Sequence, residues 1–116
     1  MSIQNPQMLV NPVDIEAEIA DIKDEIIELG DEVETVKDEL LIRYEREYIK
    51  DRPNSGKLAD LREGIQQAKQ AEEHLESAYS WTEEAMDMSQ SGEDCLGHAR
   101  AELLSAKENL QEAALS

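Results

Sequence analysis

"IEAEIADIKDEIIELGDEVETVKDEL", residues 15–40, places Ile15, Ile19, Ile22, Ile26, Leu29, Val33, Val36 and Leu40 at alternating steps of four and three. An apolar residue every 3.5 positions keeps one face of an α-helix turned toward a partner helix, so the stretch reads as a coiled-coil seam. Ile19, Ile26, Val33 and Leu40 take the a positions of the heptad, and Ile15, Ile22, Leu29 and Val36 the d positions. Glu18, Glu25, Glu32 and Glu39 flank the seam at g, with Lys23 and Lys37 at e. In a parallel pair each g residue faces the next e residue of the partner, so Glu18 would meet Lys23 and Glu32 would meet Lys37 of a second copy. The same stripe can instead fold back on later segments of its own chain. The two uses are compatible, and the sequence supports a homodimer as well as an internal seam. Gly30 interrupts an otherwise helix-favouring run and marks either a close approach or a flexible point.

Outward from the seam, "NPVDIE" supplies a helix start, with Asn11 as N-cap, Pro12 in the first turn and Asp14 and Glu16 near the positive end of the helix dipole. Residues 1–11 lack a helical period and contain Pro6, which reads as a flexible arm. Pro53 and Gly56 in "DRPNSGK" end the first helix, and Asn54 or Ser55 caps the second. Gly92 offers a C-terminal left-handed position for helix 2, and Ser91 with Asp94 resembles a capping box for helix 3. The expected helices cover about 12–52, 56–90 and 93–115, in a single domain over 12–116. No segment alternates with period two. The expected fold is therefore all-α, an elongated antiparallel three-helix bundle or coiled coil with a long first helix.

Helices 2 and 3 carry stripes of their own. Leu58, Leu61, Ile65, Ala68 and Leu75 line helix 2, with Ala71, Ala78 and Ala85 recurring every seventh residue. Helix 3 alternates Leu96, Leu103 and Leu110 with Ala99, Ala106 and Ala113. Small residues at a seven-residue repeat let two backbones approach closely, and a short connection favours antiparallel packing. A second row, His74, Trp81 and Met88, lies off the Ala stripe of helix 2. It is core against a third helix or, left uncovered, an apolar hot spot centred on Trp81 and Met88. Beyond Leu40 the first stripe changes phase, and Leu41, Tyr44 and Tyr48 are expected near the hairpin end, the two tyrosines covering the turn.

The charge balance restricts the function. Twenty-eight acids against 11 Lys and Arg leave a net charge of −17, with a single Trp, three Tyr and no Phe. Such a surface repels nucleic acid and anionic membranes and attracts basic proteins. No signal peptide and no spanning segment is expected, and Cys95 is alone in the chain, which fits a reducing, cytoplasmic setting. Catalytic patterns are sparse. "SGK" at 55–57 lacks the first glycine, the preceding strand and the hydroxyl residue of a phosphate loop. Cys95 and His98 at i, i+3 would supply half a zinc site, with no second pair to close it. Glu-x-x-His spacing and calcium-loop spacing are both missing. The chain reads as a non-enzyme with no cofactor.

The acids themselves are the remaining signal. Twelve lie between Asp14 and Glu39; over about 39 Å of helix this is one charge per ~3.3 Å, against ~3.4 Å per phosphate along a nucleic-acid strand. Asp21, Asp24, Glu28, Asp31, Glu34 and Asp38 form the expected partner-binding face. Residues 14–85, a long acidic helix ending in "RYEREYIK", a short break and a second helix running "LADLREGIQQAKQAEEHLESA", resemble the small acidic helical-hairpin proteins encoded by phages. The additional "GEDCLGHARAELLSAKENL" helix departs from a simple hairpin. The resemblance implies a phage accessory protein or inhibitor of host defence acting in the host cytoplasm, and transfers no functional residues. The expected function is a non-catalytic acidic helical protein that binds a basic, nucleic-acid-binding surface of a protein partner, as a mimic of nucleic acid. The alternative is a structural coiled-coil adaptor whose acids serve only solubility.

Overall fold

The computed structural model describes residues 12–87 and 92–115, with side chains from 15 and from 94 onward. Three helices account for almost all of it: α1 (Pro12–Tyr48), α2 (Ser55–Asp87) and α3 (Gly92–Ala114), with no strand among the described residues. At 1.5 Å per residue they measure about 55, 50 and 35 Å. They lie side by side in a bundle of cross-section 18 × 17 Å.

Cross-helix contacts set the directions. Lys23 bonds Glu83 and Lys37 bonds Glu72, so α1 and α2 run antiparallel. His74 meets Glu102 and Trp81 meets His98, so α2 and α3 are also antiparallel. Glu18 with Arg100 and Glu25 with Lys107, seven residues apart on each helix, place α1 and α3 parallel. The architecture is the all-α three-helix bundle that the periodicity implies.

The α1 stripe faces inward along its whole length. Ile19, Ile22, Leu29, Val33 and Leu40 are buried, and Ile15, Ile26 and Val36 are half-buried against them. All eight residues of the expected self-association seam thus pack on α2 and α3. Three of the four charges that would have paired two copies bond within the chain instead: Glu18 turns to α3, and Lys23 and Lys37 turn to α2. Glu32 is exposed and forms no ion pair among the described residues; Glu25, also at g, pairs with Lys107 of α3. A second copy reaches this seam only by displacing both helices.

The Ala repeats do what small residues at that spacing allow. Ala68, Ala71, Ala78 and Ala85 of α2 and Ala99, Ala106 and Ala113 of α3 are all buried, so α2 and α3 approach closely. Thr82 joins that stripe at 0% exposure, and its hydroxyl donates to the Tyr79 carbonyl at 2.6 Å, which satisfies it inside an apolar layer. Asn109 donates to Gln67 across the same interface at 2.7 Å, while its buried Oδ1 has no hydrogen-bond partner among the described residues.

The α1–α2 turn departs from expectation. α1 ends at Tyr48, four residues short of the expected 52, and Gly56 lies inside the first turn of α2. The cause is local. The Glu47 carboxylate, itself 3% exposed, accepts the Asn54 backbone N–H at 2.9 Å and the Lys50 ammonium at 2.9 Å, which folds the chain before the proline. Asn54 then caps α2 through Oδ1, accepting the Lys57 N–H at 3.0 Å. A Cβ on Gly56 would stand 3.3 Å from that same oxygen, so the glycine leaves room for the cap. Tyr44 is half-buried over the core and receives an Arg62 hydrogen bond at 2.9 Å. Tyr48 stacks on Tyr44 at 6.1 Å but is 64% exposed, so only one of the two tyrosines covers the hairpin end. α3 is too short to reach that end, where Leu41, Ile42 and Ile49 are exposed. Residues 1–11, 88–91 and 116 lie outside the described residues. So do the arm, the Asn11 and Ser91 caps and Met88.

Candidate functional site

Two kinds of acid share α1, and the heptad separates them. Beside the seam, Glu18 and Glu25 meet cations of α3 and Glu39 meets Arg43 of α1 itself, while Glu16 and Glu32 are exposed with no ion pair among the described residues. Those at the outer b, c and f positions point away. Asp21, Asp24, Glu28, Asp31, Glu34 and Asp38 are all exposed, and none forms an ion pair among the described residues. From Asp21 to Asp38 the row covers about 26 Å.

The chain's cations are largely committed elsewhere. Lys23 and Lys37 are held by Glu83 and Glu72, and the hydrogen bond to each carboxylate raises each lysine's pKa above its ordinary value. Arg100 and Lys107 serve Glu18 and Glu25. Arg43 pairs with Glu39, and both Lys50 and Lys57 approach Glu47. Internal pairing therefore leaves the outer row without ion pairs among the described residues, with Lys37 near enough to attract Asp38 and Glu34 and the internal pairs acting as cross-braces. The row is sparser than the sequence count of twelve: Glu18, Glu25 and Glu39 are paired, Glu16 and Glu32 flank the seam rather than the outer face, and the Asp14 side chain lies outside the described residues.

Between α1 and α2, on the side away from α3, lies an open groove of about 990 Å³. Ile26 and Leu75 lie against the core at its base, and Ile27, Gly30 and Tyr79 form its walls. Asp31 and Glu34 from the outer row line one edge, and Glu72, Glu73 and Glu76 the other, against Lys69 as the cation of the lining. Ile27 is 64% and Tyr79 48% exposed, so the groove is apolar as well as acidic. Gly30 makes no close approach among the described residues: a Cβ there would meet none of their atoms within 4 Å. The glycine stands over open groove. Sequence reading missed this feature because a groove depends on what fails to lie opposite a residue.

The expected hot spot is only partly available. Trp81 is half-buried against the core and stacks on His98 at 4.4 Å, which covers one of its faces. Cys95 is buried in the core, whereas His98 is exposed on Trp81, so the two residues of the half zinc site have different surroundings. Among the described residues no group of three or more His, Cys, Asp or Glu is placed to hold a metal ion. No described helix is long and apolar enough to cross a membrane. No family model matches the chain, and neither the curated proteins nor the solved structures contain a match to it.

Proposed function

We propose that this chain is a non-catalytic, acidic helical interaction protein that binds a basic surface on a protein partner, a surface that otherwise holds nucleic acid. The observation that carries this reading is the outer row of α1. Six carboxylates are exposed and form no ion pair among the described residues along about 26 Å of helix, while Glu18, Lys23, Glu25 and Lys37 beside the seam brace the bundle. A rigid anionic row releases the counterions of a basic groove as a phosphate backbone does, with the roles of protein and polyanion exchanged. An inhibitor of a nucleic-acid-binding protein, of the kind phages direct against host defence, is the biological form this chemistry would take. An adaptor would need the α1 seam for a second chain, and that seam packs on α2 and α3.

The test is a pull-down with the tagged protein at low and at high salt, with and without excess competitor DNA. The triple variant Asp24→Lys, Asp31→Lys, Asp38→Lys serves alongside. Capture of a nucleic-acid-binding protein that salt and DNA both release, and that the triple variant loses with its helix content intact, is the expected result. A partner indifferent to salt, to DNA and to the charge reversal would overturn the reading.

A further inference from the structure

We infer that the groove between α1 and α2 is a docking site for a basic amphipathic helix of a protein partner. The inference rests on the interaction reading above and names the element of the partner that is gripped. Ile27 and Tyr79 hold apolar surface open to solvent in the middle of an otherwise charged face, with the Lys23 ammonium 5.2 Å over the Tyr79 ring. The groove runs along two helices, and its α2 wall from Lys69 to Ser80 is about 16 Å long, or three turns.

A helix fits this channel better than an extended strand. A strand needs backbone N–H and C=O partners along its edge, and two helices offer none because their own backbone groups bond internally. A helix brings its hydrogen bonds with it and needs only an apolar stripe to lay between the two walls, completing a four-helix section. The charge of the occupant follows from the rims. Asp31 and Glu34 on one edge and Glu73 and Glu76 on the other form no ion pairs among the described residues, so Lys or Arg flanking the apolar stripe would meet acids on both sides. A second copy seating the same groove by two-fold symmetry would bring like charges together. Gly30 has a specific part: with no side chain and open space above it, it lets an occupant's side chain reach the base beside Ile26.

The experiment titrates the full chain with two 18-residue synthetic peptides of identical Leu and Lys content. One has Leu at helical i, i+3, i+4, i+7 spacing, and the other is scrambled. Three proteins are compared: the natural chain, Gly30→Leu, and an outer-row variant (Asp21→Lys, Asp24→Lys, Glu28→Lys) whose changes lie outside the groove lining. The amphipathic peptide should bind one per chain at physiological salt, at least tenfold tighter than the scrambled one. Gly30→Leu should weaken it a further tenfold or more with a melting temperature no lower than that of the natural chain. Equal binding of both peptides, or undiminished binding by folded Gly30→Leu, overturns the groove. If the outer-row variant alone then loses both peptides, the broader interaction reading survives that failure. If neither peptide binds any of the three proteins, both readings are overturned. Light scattering closes the remaining route: a dimer that Gly30→Leu converts to a monomer would make a second copy the occupant and overturn the proposal.

Discussion

Glu47 is one of 28 acids, and nothing in its sequence neighbourhood separates it from the others. In the fold it is buried at the hairpin end, where it accepts the Asn54 N–H and the Lys50 ammonium and lies 3.5 Å from Lys57. Those hydrogen bonds, the backbone one foremost, lower its pKa to about 2. A carboxylate whose folded pKa lies below its unfolded value stabilises the fold above the unfolded pKa, and this contribution is lost as pH falls toward the folded one. The window here runs from the ordinary value of 4.5 down to about 2. Glu47→Gln should therefore melt below the natural chain at every pH above about 5, with the difference closing as pH falls through that window. Parallel thermal melts read this directly, and a difference that persists unchanged at pH 2 would mean that shape, rather than charge, is what Glu47 contributes. Gly56 belongs to the same scale: its space for the Asn54 cap could not be read from "NSGK", because the tight 3.3 Å contact a Cβ would make depends on where an oxygen lies after the turn has formed.

At the scale of elements, periodicity was readable because burial on one helical face leaves a mark every three to four residues. The α1 stripe and the Ala repeats of α2 and α3 all proved to be core. What periodicity lacks is an address. A heptad says that a helix has a partner and is silent on whether that partner lies in the same chain, so Lys23 and Lys37 read equally well as contacts to a second copy or, as found, to Glu83 and Glu72. The end of α1 was legible only to within four residues, since it is decided by Glu47 reaching across the turn rather than by Pro53. The Ala interface permits a sharp check. Ala106 is 1% exposed between α2 and α3, whereas Ala101 is on the exposed face of α3. Ala106→Leu should wedge the two helices apart and cost about 1–3 kcal/mol, while Ala101→Leu should leave stability within about 0.5 kcal/mol. Denaturant midpoints of the two variants decide it; equal midpoints would mean that α2 and α3 can separate without loss.

Across the whole molecule, charge is unevenly placed along the rod. Residues 43–62 hold six of the 11 cations and four of the 28 acids, so the hairpin end is mildly basic and the rest is strongly acidic. The composition showed the total, but the division between braced and bare acids needed three dimensions, because it depends on which face of α1 meets α2 and α3. Two opposed effects of salt follow. Screening weakens exposed cross-helix ion pairs such as Lys23–Glu83, Lys37–Glu72, Arg100–Glu18 and Lys107–Glu25, whose side chains are 24–55% exposed and which contribute roughly 0–1 kcal/mol each. Screening also relieves the mutual repulsion of the acidic excess, which acts over the full cross-section. At 10 mM salt the Debye length is about 30 Å, wider than the 18 × 17 Å bundle, so every charge on a section feels the others. At 150 mM it is about 8 Å, and the bare outer row no longer repels acids across the bundle. With a net charge of −17 the repulsion outweighs the few exposed pairs. The melting temperature at pH 7 should then rise by 5 °C or more between these two salt concentrations, about the effect of 1 kcal/mol in a domain of this size. Acidification from pH 7 to about pH 5 should raise it in the same direction, with the Glu47 clamp still ionised. Thermal melts followed by helix content measure both, and a fall with salt would mean that the cross-helix pairs, rather than the bare acids, dominate the electrostatics of the bundle.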